Sequence, residues 1–253
     1  MGLSEEGIKE FKQAYLEEYN EEISDAQAKE LGENLIALFK IICRPMKKLF
    51  LTSSFWNVVN EFIEFLRAKS KGLTVGFVPT AADPYKDKWF VEKDKKALAD
   101  VGFKVKEIDL KDKTEAKLKE EFKGVDIIFV AGGNTFYLLK ETKKSGFDKV
   151  AKELIEQGVV YVGSSAGAYL VCPTIEAAAW KHGDSNHFGI TDFSALNLVP
   201  FLIAAHFKSE YADVIKEAAL TCKYPIKTLT DQQAISIKND KVVLVGQGDE
   251  IVL

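Results

Sequence analysis

The stretch VYVGSSAGAYL, residues 160–170, joins an apolar strand-like run to a helix-like segment through small residues. A strand that turns directly into a helix needs small residues, because bulky side chains would collide in the turn. Residues 163–167 also fit the pattern G-x-S-x-G, in which such a turn exposes the central serine hydroxyl. The stretch therefore predicts either a plain turn or a nucleophile, Ser165, at the end of a buried strand.

Apolar runs alternate with amphipathic segments of helical length on both sides of this turn. The runs before it are KLFLTSS, LTVGFVPT, FKVKEIDL and VDIIFVAGG. The runs after Pro200 are FLIAAH, PIKTLT, QAISIK and KVVLVG. Such alternation predicts a mostly parallel sheet with helices on both faces. The polar turn Asn239-Asp240 between the last two runs predicts a hairpin at one sheet edge.

The first 45 residues carry a different pattern. Apolar residues recur there at helical spacing, and Ser24-Asp25-Ala26-Gln27 is a capping-box pattern that opens a second helix, which Pro45 ends. We expect a helical hairpin over residues 1–45 and one α/β domain over residues 46–253. The hairpin is too small to be stable alone, so its apolar stripe should pack on the main domain or on a second subunit.

Composition and charge exclude several classes of protein. A net charge of -4 argues against a nucleic-acid footprint. Cys43, Cys172 and Cys222 form no CxxC pair, so we expect neither a disulfide framework nor a zinc site, and free thiols favour a reducing compartment. The N-terminus is polar, and no apolar run approaches the roughly 18 residues of a spanning helix. We expect a cytoplasmic protein without cofactor, membrane or nucleic-acid partner.

His206, at the end of the run FLIAAH, is the candidate base for Ser165. A serine becomes nucleophilic when a base lies within hydrogen-bond reach, and a strand-end histidine beside the serine's strand could supply one. The alternative is a packed structural histidine. His182 and His187 lie in a polar loop, where they could be surface residues, substrate contacts or, with Asp184, weak metal ligands. We take His187 as a candidate substrate-binding residue and expect no metal.

A carboxylate should orient the imidazole of the base. Asp231 lies at a predicted strand end and is favoured, while Asp184 and Asp192 lie between Ser165 and His206. The order Ser…His…Asp differs from the Ser…Asp/Glu…His order of α/β-hydrolases. Asp184 would restore that order, but the sequence lacks an HGGG stretch typical of lipases.

The run VDIIFVAGG ends in two glycines whose backbone can approach a substrate closely. An N–H there would complete an oxyanion hole with the N–H of Ala166. The alternative is a plain strand-to-helix turn in which Asn134 or Thr135 caps the next helix. Asn134 is also a candidate substrate-binding residue.

The segments FVAGGNTFYLLKE, VYVGSSAGAYLVCPTIE, AAHF and LTDQQAISIKNDKVVLVG, within residues 47–253, together resemble the dipeptidase E / cyanophycinase family of serine peptidases. The resemblance implies a flavodoxin-like, three-layer α/β/α fold similar to class I glutamine amidotransferases, with the hairpin added. It implies Ser165 as nucleophile and His206 as general base, and it places the oxyanion-hole amides at Gly133 and Ala166.

The sequence departs from the family pattern at the acid, and it differs from glutaminases at the elbow and the histidine. Asp231 stands where the family often has glutamate, and the family's second acid has no clean match, since Trp180 falls at that offset. The elbow lacks cysteine and His206 lacks the His-x-Glu of a glutaminase, which argues against amide-nitrogen transfer.

The resemblance also implies a substrate. Family members recognise an N-terminal aspartate or a β-aspartyl link, which predicts a cation in the pocket, with Lys181 and Lys208 as candidates. We predict a serine exopeptidase that hydrolyses small peptides and is a monomer or a homodimer. The alternatives are another amidase or esterase, a cyanophycinase-like hydrolase, or a non-catalytic member that binds a partner through residues 1–45.

Overall fold

The computed structural model describes residues 3–42, 45–67, 71–181 and 186–252. The chain divides into two compact units, residues 1–45 and 46–253. Across the described ranges, we find no helix with the length and apolar character needed to cross a bilayer.

The first unit contains a pair of helices, α1 (Glu5–Tyr19) and α2 (Asp25–Ile42). The capping box predicted for α2 is present: Ser24 Oγ accepts the N–H of Gln27 at 3.3 Å, and Gln27 Oε1 accepts the N–H of Ser24 at 3.0 Å. These reciprocal bonds satisfy two amides that the first helical turn leaves unpaired. The predicted N-terminal hairpin is therefore confirmed.

The second unit alternates strands and helices. Its strands are β1 (Lys48–Thr52), β2 (Thr74–Val78), β3 (Lys104–Glu107), β4 (Ile127–Val130), β5 (Val160–Ser164), β6 (Leu202–Ala204), β7 (Ile226–Thr228), β8 (Gln233–Lys238) and β9 (Lys241–Gly246). Its helices are α3 (Val59–Leu66), α4 (Trp89–Asp100), α5 (Glu115–Glu121), α6 (Thr135–Ser145), α7 (Phe147–Glu156), α8 (Ala166–Leu170) and α9 (Ala212–Thr221). The segment 135–158, which reads as one helical stretch, is two helices because Gly146 adopts a left-handed φ of 76° between them.

The main sheet has the strand order β3-β2-β4-β5-β1-β8-β9. The strands from β3 to β1 are parallel, whereas β8 is antiparallel to β1 and β9 to β8. Alternate residues of β4 enter different cores, with Ile127 and Phe129 on one face and Ile128 and Val130 on the other. Both faces are thus covered, as a mostly parallel sheet requires. The three-layer α/β fold and the edge hairpin are confirmed.

Strands β6 and β7 form a separate parallel pair. Within the described residues β6 joins no strand of the main sheet, so the expectation that His206 ends a strand beside β5 is wrong. The run 201–205 is buried on all sides, and such a run does not reveal from sequence which strand it pairs with. The main sheet and the β6–β7 pair are therefore separate sheets, and residues that follow strands of both reach the site.

Candidate active site

Ser165 lies in the sharp turn between β5 and α8, with φ 49° and ψ -106°. A non-glycine residue rarely adopts a positive φ, so this backbone is strained and held by its surroundings. A Cβ on Gly163 would lie 2.4 Å from the carbonyl oxygen of Gly167, and a Cβ on Gly167 would lie 2.2 Å from that of Val130. The Ser165 N–H donates to the Thr52 carbonyl at 2.8 Å. The turn therefore requires both glycines and presents the serine at the carboxyl edge of the sheet.

A chain of hydrogen bonds links Ser165, His206 and Asp231. The distance from Ser165 Oγ to His206 Nε2 is 2.8 Å, and that from His206 Nδ1 to Asp231 Oδ1 is 2.6 Å. A carboxylate beside Nδ1 holds the ring proton there, which leaves Nε2 free to accept the serine proton. The arrangement can therefore activate the hydroxyl for attack on a carbonyl carbon.

The pKa of the Asp231 carboxyl lies below its ordinary value. The hydrogen bond from His206 is the largest cause, and burial partly opposes it. The charge of His206, a hydrogen bond from Ser54 and the charge of Lys181 lower the pKa further. The carboxyl is therefore ionised at neutral pH and can orient and stabilise a protonated imidazole.

Backbone contacts hold His206 and Asp231 in place. The N–H of His206 donates to Ser53 Oγ at 2.9 Å, and that hydroxyl donates to the Leu229 carbonyl at 3.1 Å. Asn57 Nδ2 donates to the carbonyl of Asp231 at 3.0 Å. His206 itself adopts a φ of 55°. The turn after β1 therefore positions both residues relative to Ser165.

Gly133 borders Ser165 at the end of β4. Its φ is 144°, and a Cβ there would lie 2.1 Å from the Ala81 carbonyl oxygen, so the position requires glycine. Ala166 is the first residue of α8, where amides have no partner inside the helix. Both backbones are thus suited to donate to an oxygen beside Ser165.

A cavity of about 350 Å³ opens at Ser165 and carries positive charge. It contains Lys181 and Lys208, and Lys181 Nζ lies 5.5 Å from the ring centroid of Tyr211. The rest of its lining comprises Gly133, Thr135, Ser165, Tyr169, Ala178, His206, Tyr211 and Asp231. The lysines predicted from sequence therefore do lie where an acidic substrate group could reach them.

Another cavity, of about 420 Å³, also opens at Ser165 and is walled by aromatic rings. These are Trp56, Tyr85, Trp89 and Phe90. The sequence analysis missed this wall, because its residues come from the turn after β1 and from the start of α4, which are far apart in the chain. We call it the aromatic cavity.

Asp94 lies against the aromatic cavity and was also missed. Only 1 % of its surface is exposed, and burial raises its pKa to about 8, although hydrogen bonds from Ser164 and the Trp56 backbone oppose the shift. Its Oδ1 has no hydrogen-bond partner in the described part of the chain. The sequence does carry a signal, since Val91, Asp94 and Leu98 share one helix face and are all buried.

The remaining candidates lie elsewhere or outside the described residues. Asp184 and His182 fall on residues that the structure does not describe. Asp192 pairs with Lys143 at 2.6 Å on the surface. His187 is exposed in its loop. Its role in substrate binding stays a prediction, and so does the choice between Asp184 and Asp231 as the functional acid.

Asn134 is nearly buried and caps α6. Its Oδ1 accepts the N–H of Tyr137 at 2.9 Å, and its own N–H donates to the Ala81 carbonyl at 2.7 Å. These contacts account for the residue structurally, and a further contact with substrate stays a prediction.

Comparison with known proteins gives a consistent family assignment. The family described as peptidase family S51 matches residues 49–245. Lmo0363, an uncharacterized peptidase of Listeria monocytogenes, is 36 % identical over 201 residues, which are 78 % of this chain and 98 % of that protein. Peptidase E of Nostoc sp. is 29 % identical over 170 residues, 64 % of this chain and 66 % of that protein. The matched family region excludes the N-terminal hairpin.

Solved structures share the fold of the second unit. A crystal structure from Listeria monocytogenes EGD-e, provisionally described as a peptidase E protein, has a TM-score of 0.73 and 36 % identity, covering 80 % of this chain and all of that chain. A peptidase from an acI-B1 actinobacterium has a TM-score of 0.57 and 15 % identity, covering 80 % of this chain and 88 % of that chain. The second likeness concerns the fold alone.

Proposed function

Because the chain belongs to peptidase family S51 and is a serine-type peptidase, we propose that Ser165, His206 and Asp231 form its catalytic triad. The observation that carries this proposal is the pair of hydrogen bonds, 2.8 Å and 2.6 Å long, that joins the serine to the carboxylate through the imidazole. The serine bonds to one ring nitrogen and the aspartate to the other, which matches the roles of nucleophile, base and orienting acid.

The proposed reaction is acyl transfer to the serine and then to water. His206 Nε2 takes the proton of Ser165 as Oγ bonds to the scissile carbonyl carbon, and Asp231 stabilises the imidazolium. The amides of Gly133 and Ala166 bind the oxyanion. His206 then gives the proton to the departing amine as the carbon–nitrogen bond breaks. A water molecule, deprotonated by His206, then bonds to the acyl carbon. The carbon–Oγ bond breaks, His206 returns the proton to Ser165 Oγ, and the carboxylic acid product leaves.

The proposed substrates are small peptides with an N-terminal aspartate. Lys181 and Lys208 supply positive charge beside the nucleophile, which favours a carboxylate in that cavity. Cavities of about 350 and 420 Å³ have the size of sites for small ligands, which suits the removal of one residue from a short peptide.

Hydrolysis of a dipeptide panel tests this proposal. The panel contains Asp-Leu, Ala-Leu and a β-aspartyl dipeptide, assayed with the wild type and with Ser165→Ala, and a fluorophosphonate probe reports the reactivity of the serine independently. We expect cleavage of Asp-Leu and labelling of the wild type, both abolished in Ser165→Ala. Absence of both turnover and labelling in the wild type would overturn the triad. Equal cleavage of Ala-Leu and Asp-Leu would contradict the proposed preference for an N-terminal aspartate but not the proposed triad.

A further inference from the structure

The aromatic cavity opens beside Ser165 and shares Gly133 and His206 with the cavity that contains Lys181 and Lys208, which we call the cationic cavity. We infer that it binds a large apolar side chain, best an aromatic one, of the residue that follows the scissile bond. The inference rests on the proposed function and adds the second half of the substrate to it.

The aromatic wall is exposed but already assembled. Trp89 is 51 % exposed and Tyr85 is 38 % exposed, although large aromatic side chains usually gain by burial. The centroids of Trp56 and Trp89 are 5.6 Å apart, and those of Trp89 and Phe90 are 5.9 Å apart. Rings that support one another lose little freedom when a ligand covers them, so the wall is prepared for an apolar occupant.

The charges around the wall disfavour a basic side chain. Lys93 Nζ lies 5.3 Å from the ring centroid of Trp56 and 4.9 Å from that of Trp89. A second cation on the same rings would be repelled by this ammonium.

Two acids line the aromatic cavity, and neither offsets that repulsion: the charge of Asp231 is engaged by His206 Nδ1, and Asp94 is buried. Asp94 has a pKa of about 8 because it is buried, so it is mostly uncharged at neutral pH. Its contacts with Ser164 and the Trp56 backbone are internal to the protein. A neutral carboxyl and four aromatic rings fit an uncharged side chain better than a lysine or arginine.

The direction of the substrate follows from the neighbouring cavity. Lys181 and Lys208 line only the cationic cavity of the two, which is where the proposed N-terminal aspartate lies. The residue on the other side of the scissile bond is then left to the aromatic cavity. His206 borders both cavities, as a group that protonates the nitrogen between the two residues must.

The experiment compares Asp-Gly, Asp-Leu and Asp-Phe as substrates of the wild type, Trp89→Ala, Trp89→Phe and Tyr19→Ala. We expect kcat/KM for Asp-Phe to exceed that for Asp-Gly by about 10- to 100-fold. Trp89→Ala should remove most of that ratio, while Trp89→Phe should restore it. Tyr19→Ala truncates an exposed aromatic residue outside both cavities and should change neither value.

Calorimetric binding to Ser165→Ala separates this inference from the proposed function. The variant needs no turnover, so Asp-Phe should bind at least about tenfold more tightly than Asp-Gly even if the wild type hydrolyses neither. Failure of hydrolysis with this binding preference intact would count against the proposed function alone. Equal binding of the two dipeptides, or an equal loss of both in Ser165→Ala carrying Trp89→Ala, would overturn the inference.

Discussion

The backbone N–H of His206 donates to the hydroxyl of Ser53, which lies 2.9 Å away in the turn after β1. The same hydroxyl donates to the Leu229 carbonyl, so one side chain joins the end of the main sheet to the β6–β7 pair. The imidazole is therefore positioned by a bond to its own backbone as well as by Asp231.

Replacing Ser53 with alanine should weaken catalysis through this bond. The His206 amide would lose its partner, and a small displacement of the ring would lengthen its bond to Ser165. We expect kcat for Asp-Leu to fall about 10- to 100-fold with little change in KM. Ser236→Ala, which removes a half-buried hydroxyl on β8 that donates to the Val243 carbonyl, is the matched control. Unchanged kcat in Ser53→Ala would show that Asp231 alone positions the ring.

Asp231→Asn should lower kcat by about 10³- to 10⁴-fold at neutral pH. The amide would offer a donor to Nδ1 and so favour the ring proton on Nε2, where it blocks acceptance of the serine proton. Asp192→Asn is the control, since Asp192 is also a carboxylate of lowered pKa but pairs with Lys143 on the surface. Measuring Asp184→Asn in parallel decides the acid, because a comparable loss there and none in Asp231→Asn would contradict the assignment.

Asp94 should make the protein less stable as pH rises. The folded state keeps the proton of this carboxyl up to about pH 8, whereas the unfolded chain loses it near the ordinary pKa of 3.8. The unfolded state thus binds fewer protons between these values, and the free energy of unfolding falls by about 1.4 kcal/mol per pH unit across that window.

Asp94→Asn removes the titrating carboxyl, so the free energy of unfolding of this variant should not fall with pH in the same way. Urea denaturation of both proteins between about pH 5 and about pH 8 measures the difference, with Asp100→Asn at the exposed end of α4 as control. A stability difference between wild type and Asp94→Asn that stays constant over this range would refute the shifted pKa.

Gly133→Ala should damage both stability and activity. The added Cβ would meet the Ala81 carbonyl oxygen at 2.1 Å, and the φ of 144° is unfavourable for alanine. Gly124→Ala has a positive φ of 75° but open space around the new Cβ, so it measures the backbone strain alone. We expect Gly133→Ala to lower the free energy of unfolding by about 1–3 kcal/mol more than this control does, and to lower kcat at least about 10²-fold. Thermal unfolding measures the loss of stability, and peptide hydrolysis measures the loss of kcat. Equal loss of stability in Gly133→Ala and Gly124→Ala would argue against the close contact.

Removing the cavity lysines should reduce the preference for an acidic N-terminal residue. Lys181→Ala and Lys208→Ala should each lower kcat/KM for Asp-Leu by about tenfold relative to Ala-Leu. Lys216→Ala on α9 provides the control, since that lysine lines neither cavity. If the ratio of kcat/KM for Asp-Leu to that for Ala-Leu stays at the wild-type value in both variants, the acidic residue binds elsewhere.

Local sequence patterns predicted the elements and the elbow well, because their causes are local. The glycines at 163 and 167 are required by backbone contacts a few residues away or in the adjacent strand. The capping box at Ser24 depends on residues three positions apart. The hairpin of β8 and β9 follows from a short polar turn at Asn239, whose φ is 54°.

Features that depend on distant packing were not predictable. The order of the parallel strands and the separation of β6 from the main sheet depend on which buried runs meet in space. Trp56 and Trp89 form one wall although they are 33 positions apart in the sequence. Asp94 lies among lysines that indicate a solvated helix face, and only its spacing from Val91 and Leu98 reveals its burial.

The separation of β6–β7 from the main sheet leaves the proposed triad dependent on a few bonds to the turn after β1. His206 follows β6 and Asp231 lies between β7 and β8, while Ser165 lies at the elbow of β5. From that turn, the side chains of Ser53 and Asn57 bond to the backbones of the histidine and the aspartate. Loss of these bonds under thermal or chemical stress should lengthen the serine–imidazole distance and stop the activity before the main sheet unfolds.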